Sequence, residues 1–148
     1  MKISFHGAAR TVTGSKHLVQ LANGENFLLD CGLFQGLGRD TDAYNANFGF
    51  DAKTVDYVIL SHAHIDHTGL LPKLAAEGFK GKIYCTPATK ALTEILLEDS
   101  AMIQRDDAKF KNKRLAREGM PQVEPLYTMD DVNLLLPLLQ TVEYDKPY

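Results

Sequence analysis

Ser61-His62-Ala63-His64-Ile65-Asp66-His67-Thr68-Gly69 sets three imidazoles and a carboxylate among neighbouring residues. Neutral imidazole suits zinc, iron or manganese, and a carboxylate adds the charge that holds a second divalent ion beside the first. Histidines this dense are a metal site rather than solvated loop residues. His62 and His64 alternate and can face one side, whereas Asp66 and His67 fall where a helix begins and point to an adjacent position. The stretch therefore reads as a seat for two neighbouring metal ions. Two ions about 3.5–4 Å apart can acidify a shared water and clamp the attacking and leaving oxygens of an ester.

The flanks place this stretch at the end of a sheet. Val55-Asp56-Tyr57-Val58-Ile59-Leu60 is apolar and rich in β-branched residues, as a buried strand is, and Leu70 to Ala76 reads as a helix. Upstream, Lys2 to Gly7 alternates as an opening strand, Thr11-Val12-Thr13-Gly14-Ser15 is a hydroxyl-rich turn, and His17 to Leu21 is a second strand. His6 and His17 read as structural. Asn23-Gly24 predicts a type I′ hairpin into Asn26-Phe27-Leu28-Leu29-Asp30, so the chain opens as a β-meander. Asp30-Cys31-Gly32 ends the third strand with a carboxylate beside a glycine. Residues 32–50 read as a long loop around a helical turn at Asp42-Ala43-Tyr44, either lining an active-site mouth or simply connecting elements.

Downstream, Lys82 to Cys85 is another short strand, and Thr86-Pro87 starts a helix with a hydroxyl cap and proline in the first turn. Ala88, Leu92, Ile95, Leu96, Met102 and Ile103 recur near a 3.6-residue period and predict its buried face. From Arg105 the helix turns basic, with Lys109, Lys111, Lys113, Arg114 and Arg117, and reads as a solvated extension that Gly119-Met120-Pro121 breaks. Thr128 to Asp131 predicts a capping box for a helix carrying Val132, Leu135, Leu136 and Leu139, which Pro137 limits. Gln140 to Tyr144 starts a further strand.

At 148 residues, 45% hydrophobic and 24% charged, the chain has the size and composition of one globular domain. A net charge of −3 argues against a surface dominated by nucleic-acid counterion release, so a nucleic-acid substrate needs a local basic groove or another domain. Cys31 and Cys85 lie in apolar runs without CxxC spacing and read as buried, reduced thiols. There is no membrane-length apolar stretch and no signal-peptide core, which gives a cytoplasmic expectation and no membrane partner.

His62-Ala63-His64-Ile65-Asp66-His67 matches the HxHxDH motif of the metallo-β-lactamase superfamily. Gly7 with Thr11 to Ser15, Leu29 to Gly36 and Leu60 to Gly69 together resemble its β-CASP branch of RNA-processing metallohydrolases. The resemblance implies an α/β fold, the N-terminal half of an αββα sandwich with a mixed sheet and flanking helices. It also implies a hydrolase of RNA phosphodiesters. In that pattern His62 and His64 bind one metal, Asp66 and His67 bind the second, Asp66 also serves proton transfer, and Asp30 orients the metal loop from behind. Members carry further ligands downstream and an inserted β-CASP domain, yet this sequence has no histidine after His67. Residues 1–148 are therefore expected to form a single partial domain. Its two divalent ions, zinc by preference, would be incompletely liganded, and it would pair with itself or with the remainder of a parent chain. Rival expectations are a hydrolase of small esters or thioesters and a non-enzymatic assembly module.

Overall fold

The computed structural model describes residues 1–36 and 38–147. Strands β1 (Lys2–Phe5), β2 (His17–Gln20), β3 (Asn26–Leu29), β4 (Tyr57–Ile59), β5 (Lys82–Cys85) and β6 (Leu139–Thr141) lie side by side in chain order. The first three form the antiparallel meander and β3 to β6 run parallel, so the sheet is mixed. Each parallel step needs a crossover. Helix α1 (Thr41–Ala46) lies in the first, α2 (Ile65–Thr68) and α3 (Leu71–Ala76) in the second, and α4 (Pro87–Arg117) and α5 (Met129–Leu135) in the third.

The β2–β3 turn is not type I′. Leu21 N donates to Glu25 O at 2.8 Å and Gly24 N to Leu21 O at 3.2 Å, and φ is positive at Gly24 (94°) but not at Asn23. That is a three-residue loop in which a type I turn is followed by a left-handed glycine. Asn23 instead accepts Glu25 N on its side-chain oxygen, a local bond that fixes this turn in place of the two-residue one.

Alternation along the strands sends Leu18, Leu28, Val58, Ile83 and Leu139 to one face, where they meet Leu70, Leu71, Leu74, Val132 and Leu135 in the core. Each such side chain removed from water contributes about 1.5–3 kcal/mol. The opposite face carries Ile3, Phe5, Phe27, Tyr57, Ile59 and Tyr84, all partly or largely exposed, with Phe27 stacked on Tyr57 at 5.3 Å. The sheet thus carries a helical layer on one face and leaves an aromatic face open on the other.

Helix α4 differs from its sequence reading. Its buried residues are Thr89, Thr93, Leu97, Ala101 and Ala108, whereas Leu92 (54% exposed), Ile95 (64%), Met102 and Ile103 face solvent. The physical reason is close approach. Small residues let α4 sit tightly against α5 and β6, and the returning strap 123–127 takes up polar residues of the same face. Asn112 exchanges two hydrogen bonds with the Val123 backbone, Gln104 Oε1 accepts Leu126 N, and Tyr127 Oη donates to Ser100 Oγ at 2.8 Å. The basic extension is solvated as expected, with Lys109 near Asp106 and Arg114 near Glu118. Thr86 caps α4, and Thr128 with Asp131 forms the expected capping box on α5. Cys31 and Cys85 are free and buried. Among the described residues no helix is long and apolar enough to cross a membrane.

Candidate metal centre

The ends of β3 and β4 and the start of β2 share one edge of the sheet, and residues 61–70 cross it. In open α/β sheets this carboxyl edge is where ligands bind. Backbone hydrogen bonds fasten the crossing segment: Leu33 N to Ile65 O (3.0 Å), Cys31 N to His67 O (2.7 Å), Leu70 N to Cys31 O (2.9 Å) and Ser15 N to Asp66 O (2.9 Å). Gly32 is required by this contact, because a Cβ there would lie 1.6 Å from Asp66 O. Thr68, fully buried, donates its hydroxyl towards the carbonyls of Ala63 and His64 and closes the loop from inside.

On this frame the side chains converge around Asp30. Its backbone is left-handed (φ 59°), a conformation that costs a non-glycine residue energy and clusters at functional sites. Ser61 donates to Asp30 through its backbone N at 2.8 Å and through its hydroxyl at 2.9–3.0 Å. Ser15 Oγ donates at 3.3 Å, and His67 Nδ1 lies 2.8 Å from Asp30 Oδ2. With its hydroxyl proton directed to Asp30, Ser61 Oγ becomes the acceptor for His62 Nδ1 at 3.0 Å. One carboxylate thus places the ring protons of both His67 and His62 on Nδ1 and leaves both Nε2 atoms with a lone pair.

Those lone pairs are aimed at other donors. His62 Nε2 is 3.2 Å from His64 Nδ1, and His67 Nε2 is 3.5 Å from Asp66 Oδ2. The His62 and His67 rings lie 4.0 Å apart, so the two pairs are adjacent. An unprotonated nitrogen facing a carboxylate oxygen is repulsive unless a cation lies between them, and this donor chemistry fits a divalent metal. Burial, together with the neighbouring His67 and His64, lowers the His62 pKa and favours its neutral, ligating form. Among the described residues no three His, Cys, Asp or Glu side chains converge on a single point; the donors come in pairs.

All five residues singled out from the sequence, His62, His64, Asp66, His67 and Asp30, are therefore brought together. Sequence reasoning missed Ser61, Ser15 and Lys16. The Lys16 side chain is fully buried, donates to Gly32 O at 2.9 Å and lies 4.2 Å from the Phe34 ring centre. No periodicity signals a buried lysine; only its place between Ser15 and a strand could have hinted at it. His6 and His17 pack edge-on against Phe50 and Phe5.

The profile of the metallo-beta-lactamase superfamily matches residues 13–142. The chain belongs to the metallo-β-lactamase superfamily. Among curated relatives, a ribonuclease of Thermus thermophilus is 48% identical over 85% of this chain and 28% of its own length. Integrator complex subunit 11 of Danio rerio is 36% identical over 85% of the chain and 22% of its own length. An endoribonuclease of Neurospora crassa is 31% identical over 94% and 15%. These relatives are of the β-CASP branch, and the matched part is N-terminal in them. The chain spans under a third of the length of these metallo-β-lactamase relatives. Among solved structures, a dizinc quorum-quenching lactonase overlays with TM-score 0.47 and 18% identity over 90% of this chain and 44% of its own.

Proposed function

We propose that this chain is the metal-binding portion of a hydrolase that cleaves RNA phosphodiester bonds. In this reading His62 and His64 hold one divalent ion, Asp66 and His67 hold a second, and zinc is the metal that imidazole-rich donors suit best. The observation that carries it is the pair of adjacent donor sets whose lone pairs are both oriented through Asp30, in a chain whose relatives include enzymes named ribonuclease and endoribonuclease. Bound ions would supply Lewis acidity at the scissile phosphate and lower the pKa of water beside it.

The chain's own residues do the rest. Asp30 holds the His67 and His62 rings in the ligating tautomer. Asp66, with a partly solvent-accessible carboxylate next to His67, accepts a proton from the attacking water and returns it to the leaving oxygen. Two donors per ion leave positions that further ligands must fill, so the 148 residues alone are assigned weak metal binding and little turnover. The open aromatic face of the sheet is assigned to the remainder of a longer chain or to a second copy.

The test is hydrolysis by the full-length protein, stripped with chelator and reloaded with zinc or manganese, on single-stranded RNA and on a lactone and a thioester. Metal-dependent cleavage of RNA in preference to both esters is expected. Turnover of the esters alone would reassign the chain to small-ester hydrolysis, and no turnover with metal bound would make it an assembly module.

A further inference from the structure

Among the described residues, three of the four non-glycine residues with positive φ lie at the same edge of the sheet as the candidate centre: Ala8 (49°), Arg10 (63°) and Asp30 (59°). Asp30 is accounted for by the histidines it orients, but Ala8 and Arg10 are not. They belong to residues 6–16, which leave β1 and re-enter β2 side by side, with His6 N donating to Lys16 O at 2.9 Å. The loop is pinned to the candidate centre by Ser15 N on Asp66 O and Ser15 Oγ on Asp30. It is pinned to the next segment by Thr13, whose hydroxyl donates to Gln35 O and accepts Gln35 N. At its crossing Gly7 and Gly14 touch so closely that a Cβ on Gly7 would lie 1.7 Å from Gly14 O. Such over-determination is what sustains left-handed backbone in residues that disfavour it.

The held loop exposes Arg10, the only Lys or Arg in residues 7–15. Among the described residues its guanidinium has no acidic partner and no hydrogen bond. Each ion pair on α4 joins residues close in sequence on the helix or at its C-terminal cap, whereas this exposed cation sits on a loop whose far end is pinned through Ser15 to Asp66 O and Asp30. A guanidinium presents a planar fork of donors that matches phosphate oxygens. We propose that the 7–15 loop is a phosphate clamp, in which Arg10 binds a backbone phosphate of the nucleic-acid strand next to the one cleaved. This rests on the RNA reading above and deepens it by naming how the strand is held.

The experiment is anisotropy titration of fluorescein-labelled single-stranded RNA with the full-length protein, in chelator so that nothing is cleaved, across a salt series. Arg10→Gln is expected to bind about 5- to 10-fold more weakly, with a log–log salt slope smaller by about 0.7, the value for one lost phosphate contact on a single strand. Arg10→Lys should recover part of the affinity, since the charge remains but the fork is lost. Arg10→Gly relieves the backbone conformation and should raise the thermal midpoint while still losing affinity, which a purely structural arginine would not do. Wild-type affinity and slope in Arg10→Gln would overturn the clamp and leave the RNA reading standing. Failure of the wild-type protein to bind RNA would overturn both.

Discussion

Asp30 Oδ2 lies 2.8 Å from His67 Nδ1 while the Asp30 backbone is held left-handed at φ 59°. Strain at Asp30 and orientation of His67 are thus two ends of one contact. Asparagine tolerates the left-handed region better than most residues, so Asp30→Asn keeps the shape and removes the charge. Divalent metal affinity in the full-length protein should fall about 10- to 100-fold, as for other partners that orient a ligand from behind. Competition against a fluorescent chelator reads this directly, and circular dichroism should be unchanged.

Gly32→Ala is expected to act through the backbone. A Cβ would meet Asp66 O at 1.6 Å, Asp66 C at 2.1 Å and His67 N at 2.7 Å, none of which can rotate away. Overpacking of this kind costs about 1–3 kcal/mol or more. Denaturant titration should show at least that loss, with metal affinity reduced in the same variant because the displaced residues are the proposed ligands Asp66 and His67.

Lys16 and Cys31 make stability pH-dependent in opposite senses. Burial lowers Lys16 from its ordinary 10.5 to about 8, so above pH 8 the folded protein sheds a proton that the unfolded chain keeps until 10.5, and stability rises with pH across that interval. Burial raises Cys31 from 9.0 to about 12, so between those values the unfolded thiol ionises first and stability falls. Each slope is at most about 1.4 kcal/mol per pH unit. Stability should therefore increase from pH 8 to 9, level off as the two oppose, and fall beyond pH 10.5. Thermal melts of Lys16→Met should lack the increase and decline from pH 9.

The two faces of α4 should respond unequally. Leu97, fully buried, should cost about 2–5 kcal/mol on replacement by alanine. Ile95→Glu, on the solvent face at 64% exposure, should change stability by no more than about 0.5 kcal/mol. Urea midpoints of the two variants decide the orientation.

That face marks where the sequence ceased to be legible. Leu92, Ile95, Met102 and Ile103 have the period of a buried stripe, but period says only which residues share a side, and threonines and alanines won the interior because close approach favours small side chains. The clustering of His62, His64, Asp66 and His67 was legible because they are neighbours in sequence on one short segment, and the caps at Thr86 and Thr128 because hydrogen bonds within the first helical turn define each. Lys16 escaped notice because its burial depends on Gly32 and Phe34, neighbours supplied by a later segment. The β2–β3 turn was legible as a hairpin but not in type, since the register between Leu21 and Glu25 is set by pairing along the whole strand.

On the proposed reading, the donors His62, His64, Asp66 and His67 at the sheet edge bind metal and support hydrolysis of RNA. Its most direct measurement is cleavage of end-labelled RNA by full-length wild-type and Asp66→Ala protein, with zinc content determined on the same samples. Metal-dependent cleavage by the wild type is expected, with a loss of at least about 100-fold in the variant, reduced zinc and unchanged circular dichroism. Asp66→Ala cleaving RNA at the wild-type rate would contradict that reading.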